Sequence, residues 1–250
     1  MPGIEARAAW PASVRASSAK REAAMTACGT KLIADWQNAE IWTTQRVAPH
    51  RQFDRWREFV IEAHLHWDIR RLACDRFPAF IRQGKFAGFR TSHITAALPG
   101  IVGTRRQAEI ARDAEALYSF IYVAEGSIRL DIDDREVALF PGHCALWDTA
   151  RPMRFTCGAG LRQITFSVPQ DRMRRLTARV DAHVGRRLDV AQDGAARLFV
   201  EHMLALDRNF GELPSHGAAR LLETTAELLA VALESSVPPS GSGRDEGLLR

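Results

Sequence analysis

At 250 residues, with 46% hydrophobic and 26% charged side chains, the chain has the composition of an ordinary globular protein of one large or two small domains, not of a disordered one. No window approaches the roughly 18 apolar residues of a membrane-spanning helix. The net charge of +4 rests almost wholly on Arg, since Lys occurs only at Lys20, Lys31 and Lys85, and the Arg residues of 51–187 are scattered rather than gathered in a stripe, which argues against a DNA-binding face.

Residues 1–42 are rich in Ala, Arg and Ser but lack the continuous apolar segment of a secretory signal, so a flexible lead is expected, with Met25 as an alternative start. Cys28, Cys74, Cys144 and Cys157 form no C-x-x-C pair and no zinc spacing, as in a cytoplasmic protein with reduced thiols. Over 50–67 the positions of Phe53, Trp56 and Val60 predict one amphipathic helix. Residues 86–98 alternate like a strand, and the polar segment 105–116 reads as a loop or a short helix.

From Leu117 to Val168, short alternating apolar runs are punctuated by Gly, Pro and Asp, the pattern of a small antiparallel barrel or sandwich. Ile128, Leu130 and Ile132 alternate with Arg129, Asp131 and Asp133, which predicts a strand with one wet face. The preceding strand carries Tyr118, Phe120 and Tyr122 on one face and Ser119, Ile121 and Val123 on the other, so it is buried on both sides or lines a cavity. Which face points inward depends on the turn at 124–127. A two-residue Glu125-Gly126 loop brings the Ser119 face to the apolar side of the next strand, and a Gly126 bulge brings the aromatic face there. Both registers stay open.

Two amphipathic helices follow, over 192–210 and 215–235, joined by Gly211-Glu212-Leu213-Pro214 into an antiparallel hairpin. Packing against the β-domain is the commoner reason for such stripes. The second helix is nevertheless apolar over a wide arc, and Leu221, Leu222, Leu228 and Leu229 invite a partner helix from a second copy. Residues 237–250 are a Pro/Gly/Ser linker, and a linker at this place suggests truncation.

Catalytic constellations are weak. A metal centre needs two or three converging imidazoles, whereas the β-region offers His143, with His93 on the strand before it; His64 and His66 would share a face only on a strand. Cys144 and His143 are strand neighbours that point to opposite faces. Gly158-Ala159-Gly160 reads as a turn, not a phosphate loop. No catalytic or metal residue and no cofactor is expected, and a metal-dependent enzyme is the least favoured reading.

The segments TRRQAEIARD, VAEGSI, FPGH, LWDTARPMRF and LRQITFSVP, in this order over about 43–250, resemble the N-terminal effector-sensing domain of the AraC/XylS family of bacterial transcription regulators. His143 departs from the pattern, where an Asp normally follows the Gly. The resemblance implies an α+β fold, a cupin-like antiparallel β-barrel followed by a helical dimerisation hairpin. The division is a lead over 1–42, a cupin-like sensing domain with an N-terminal helix over 43–169, a helical dimerisation region over 170–236 and a linker over 237–250. It also implies a homodimer with DNA contacted only through a helix-turn-helix module absent from this chain. The effector is expected inside the barrel, against Ser119, Ile121, Val123, Arg162, Ile164 and Phe166, with Trp147 and Phe155 as walls. Arg162 would pair with the carboxylate of a small aromatic or aliphatic acid. A free-standing partner that inhibits full-length regulators through 192–235 is the alternative.

Overall fold

A computed structural model describes residues 40–71, 75–209, 213 and 215–236. The stretch 1–39, the linker 237–250 and most of the turn 211–214 lie outside the described residues. Two antiparallel sheets face each other. The larger has the order β1 (Glu40–Thr43), β3 (Ala79–Phe86), β4 (Phe89–Ala96), β11 (Leu161–Pro169), β6 (Leu117–Glu125), β9 (His143–Asp148), β12 (Arg187–Asp189). The smaller runs β2 (Asp68–Arg70), β5 (Val102–Arg105), β10 (Met153–Cys157), β7 (Ile128–Ile132), β8 (Arg135–Leu139). The fold is α+β and cupin-like, but as a sandwich whose sheets do not close into a barrel.

The corner between β6 and β7 explains part of that difference. These consecutive strands lie in different sheets and do not pair, so neither hairpin register applies. Gly126 turns the chain from one sheet to the other at φ +71°, and a Cβ there would sit 2.6 Å from the carbonyl oxygen of Ala159. Only glycine tolerates both the left-handed backbone and that approach. Alternation on β7 follows the expected pattern, with Ile128, Leu130 and Ile132 buried and Arg129 exposed.

Residues 40–42, within the stretch expected to be a flexible lead, belong to β1 and pair with β3. Thr44 then donates its hydroxyl to the Ala79 carbonyl and accepts from the Ala79 amide at 2.9 Å. Helix α1 (Gln52–Ala63) buries Phe53, Trp56 and Val60, as the spacing predicts. Its first residue, Gln52, is buried and donates to the carbonyls of Thr44 and Val47 while accepting from the Phe77 amide at 2.6 Å. The polar segment 105–116 holds the short helix α2 (Gln107–Ile110).

After β11 come α3 (Gln170–Leu176) and the pair α4 (Gly194–Arg208) and α5 (Ser215–Ser235), which pack on the outer face of the larger sheet. Phe199 of α4 meets Phe120 edge-on at 4.6 Å and Phe166 at 6.3 Å. Arg82 and His93, on β3 and β4, both bind the carboxylate of Asp207 near the end of α4. Asp193 caps α4 by accepting from the amides of Ala195 and Ala196, and it accepts from the hydroxyls of Ser235, the last residue of α5, and of Ser236 after it. One carboxylate thus ties the start of one helix to the end of the other. Asp193→Ala should lower stability by about 1–2 kcal/mol in urea titrations, with Asp193→Asn recovering part of the loss because its amide oxygen still caps; a change below the error of the fit would show the tie to be idle.

The wide apolar arc of α5 has an internal explanation. Leu222 and Leu229 belong to the core, and Leu221 and Leu228 are half-buried at its edge. The first two are therefore withdrawn as surface contacts, because the hairpin and the sheet already cover them. Exposed apolar positions on the hairpin are instead Leu198 and Val231.

Candidate functional site

The two sheets enclose a space with room for the centres of water-sized spheres in about 60 Å³. Its floor is the larger sheet, through Ile94 and Ala96 of β4, Ser119 and Ile121 of β6, Trp147 of β9, and Leu161, Gln163 and Thr165 of β11. Opposite stand Ile128 of β7 and Met153, Phe155 and Cys157 of β10, with Ile101 beside them. Helix α1 supplies Trp56 and Val60, and His64 and Trp67 follow it. The α1 stripe is thus part of the wall of this space.

An aromatic wall holds one side open. Trp67 lies 5.0 Å from Phe155 and 5.5 Å from Trp147, ring centre to ring centre. The Phe155 ring rests on its cross-strand partner Gly103, where an added Cβ would fall 2.1 Å from a ring carbon. Glycine at 103 is what lets the ring lie flat against the smaller sheet.

Most polar groups along the floor satisfy one another. The Ser167 hydroxyl donates to Ser119 at 2.9 Å, and Ser92 and Thr165 share a hydrogen bond. Four buried polar atoms of the lining have no partner: Nε1 of Trp56, Nε1 of Trp147, Nδ1 of His64 and Oε1 of Gln163. Burial, followed by the positive charges of Arg90, Lys85 and Arg105, pushes the His64 imidazole down to about 4, so it is neutral at physiological pH. The Cys157 thiol is pushed up to about 12 by burial and stays protonated. No group of three or more His, Cys, Asp or Glu side chains able to hold a metal occurs among the described residues.

Of the expected site residues, Ser119, Ile121, Trp147 and Phe155 line this space. Val123 is fully buried on the same face of β6 but is not part of the lining. Arg162, Ile164 and Phe166 lie on the opposite face of β11. Arg162 donates twice to Glu125, at 2.7 and 3.0 Å, and Phe166 stacks with Phe89 at 5.7 Å under the helices. The inward residues of β11 are therefore the odd-numbered ones, and the cation expected to pair with an acid stands outside. Gln163 went unrecognised because a polar residue alternating with Ile and Phe reads as the wet face of a strand. A register shift between Arg162 and Gln163 adds to the ambiguity.

The sequence reading also passed over the latch that closes the wall. Arg105 is fully buried and donates through Nε and Nη2 to the Thr149 carbonyl, and through Nη1 to the His66 carbonyl at 2.8 Å and Asp113 at 2.5 Å. Asp113 also holds the His66 ring at 2.7 Å. Both charges lie in TRRQAEIARD, eight positions apart, on a strand end and on the turn after a short helix, so no single element carries both.

An apolar chamber between two antiparallel sheets, walled by a preceding helix and backed by a helical pair, defines a cupin-like ligand-binding fold. The profile of the AraC-binding-like domain matches residues 56–234, and the chain belongs to that family. It is 24% identical over 190 residues to an uncharacterized protein in the nit 5' region of Bacillus sp. (strain OxB-1), covering 76% of this chain and 73% of that protein. Its fold is similar to that of the AraC-like transcriptional activator CuxR, with TM-score 0.69, 14% identity, and coverage of 82% of this chain and 73% of that one. The cupin domain of an XRE family transcriptional regulator from Enterobacter cloacae overlaps 37% of this chain and 98% of its own, with 12% identity and TM-score 0.30.

Proposed function

We propose that this chain is the effector-binding and dimerising part of an AraC-type regulator of transcription, a cytoplasmic, non-enzymatic sensor whose small-molecule signal binds between the sheets. DNA contact is assigned to a helix-turn-helix module outside this fold, and pairing of two copies to the hairpin. The carrying observation is a chamber whose walls are aromatic and aliphatic and whose lining residues Trp56, Trp147, His64 and Gln163 each carry one buried polar atom without a protein partner. Such groups are costly when buried alone, and a ligand that pairs them recovers that cost. Ser119, Ile121, Trp147 and Phe155 are retained as ligand contacts. To regulate, the ligand must favour one arrangement of sandwich and hairpin over another, because equal affinity for both shifts nothing.

Binding should change the fluorescence of Trp56, Trp67 and Trp147 and raise the unfolding midpoint in a concentration-dependent way, and Trp147→Phe should diminish the fluorescence response. A screen of several hundred small molecules that moves neither signal, together with a strictly monomeric species in gel filtration, would sink the proposal.

A further inference from the structure

Resting on the reading of this chamber as the effector site, we propose that its ligand is an uncharged small molecule with one hydrogen-bond acceptor and one donor on a short apolar body, of the kind of an amide or alcohol, and not an acid. The lining carries no ionised group. Its only titratable side chains are His64 and Cys157, both neutral as described above. An ionised carboxylate placed there would lose its hydration without gaining a countercharge.

Nearby cations are committed elsewhere. Arg162 is outside the chamber on Glu125, and Arg105 makes four hydrogen bonds to Thr149, His66 and Asp113 and is not part of the lining. Arg90 donates to the His64 carbonyl and to Glu115 at 2.7 Å. Lys85 and Arg90 stand in a separate recess that shares only His64 and Thr165 with the chamber, and its open volume of about 10 Å³ is too small for a carboxylate.

What the chamber does offer is directional and neutral. The indole N–H groups of Trp56 and Trp147 can only donate, so each calls for an acceptor. Oε1 of Gln163 calls for a donor. Ser119 accepts from the Ser167 hydroxyl and Thr165 shares a hydrogen bond with Ser92, and neither hydroxyl supplies a countercharge for an anion. An open volume of about 60 Å³ corresponds to roughly four waters, which limits a ligand to a body of about five or six heavy atoms before the walls must move.

The test compares shape-matched pairs on the full chain at pH 7 and constant ionic strength: isobutyramide against sodium isobutyrate, and propionamide against sodium propionate. Thermal unfolding and calorimetry are the readouts. The amide of at least one pair should raise the midpoint and bind at least tenfold more tightly than its carboxylate. Gln163→Leu, which keeps the side-chain volume, and Trp147→Phe, which keeps an aromatic ring, each remove one polar partner and should weaken the amide at least several-fold while leaving the fold intact by circular dichroism. Equal or tighter binding of a carboxylate overturns the inference while leaving the effector site standing. Amide binding untouched by both variants overturns it too, since the amide would then bind elsewhere. If no member of either pair binds, the inference falls, while the effector-site reading stands or falls by the wider screen described above.

Discussion

Replacing Arg105 with Met should cost about 3–5 kcal/mol of folding stability, a large share of what a domain of this size has. Arg105 is 1% exposed, and its guanidinium holds together β5, the segment after α1, the Asp113 loop before β6 and the Thr149 turn after β9. Methionine fills much of the volume but leaves the Asp113 carboxylate and two carbonyls without their strongest donor. Burial pushes the Asp113 carboxyl up, but hydrogen bonds from His66 and Arg105 and the charge of Arg105 outweigh it and hold it below its usual range. A carboxyl depressed in this way adds stability above its unfolded value, and that stability is lost as pH falls through the folded one. The native protein should therefore weaken on acidification, and Arg105→Met should show a flatter pH profile. Urea titrations at pH 7 and in steps to below the ordinary carboxyl value of 3.8 measure both effects. A loss below about 1 kcal/mol at pH 7 would mean that the latch contributes little.

Leu229→Asp and Val231→Asp, two positions apart on α5, should behave in opposite ways. Leu229 is fully buried, and a carboxylate there has no partner, so the variant should lose more than about 4 kcal/mol and collect in the insoluble fraction. Val231 is 54% exposed, and its replacement should leave stability within about 0.5 kcal/mol. If the hairpin pairs two copies, Val231→Asp combined with Leu198→Asp should instead convert a dimer to a monomer in gel filtration or light scattering. A stable, soluble Leu229→Asp variant would contradict the packing described for α5. An unchanged elution position for the double variant of a dimeric protein would move the interface away from this flank.

The class of the fold was legible because its signals are local. Val60 follows Trp56 and Phe53 at helical spacing, Ile128 to Ile132 alternate, and the two stripes over 192–235 leave little choice but a hairpin. What was illegible depends on partners distant in the chain. Glu125-Gly126 looks like a hairpin turn until Ala159 and Gly160 are seen beside it, because the requirement for glycine comes from that backbone and not from its neighbours. Parity on β11 failed for a similar reason. The rule that apolar residues face the interior assumes one interior, but β11 has two. Ile164 and Phe166 face a dry layer under the helices, and Gln163 and Thr165 face a chamber with polar atoms to spare. Ser119 and Ile121 face the chamber, the side the resemblance implied and the turn left open, because the helices cover the aromatic face of β6.

That doubly buried strand has a mechanical consequence. Thr165 touches the chamber and Phe166, the next residue, touches Phe199 of the hairpin, so a single peptide unit separates the place where a molecule presses from the place where the helices rest. The peptide plane is stiff and both of its ends are packed. A molecule seated against Thr165 and the ring of Phe199 thus share one strand as their common wall, one residue apart and on its two faces.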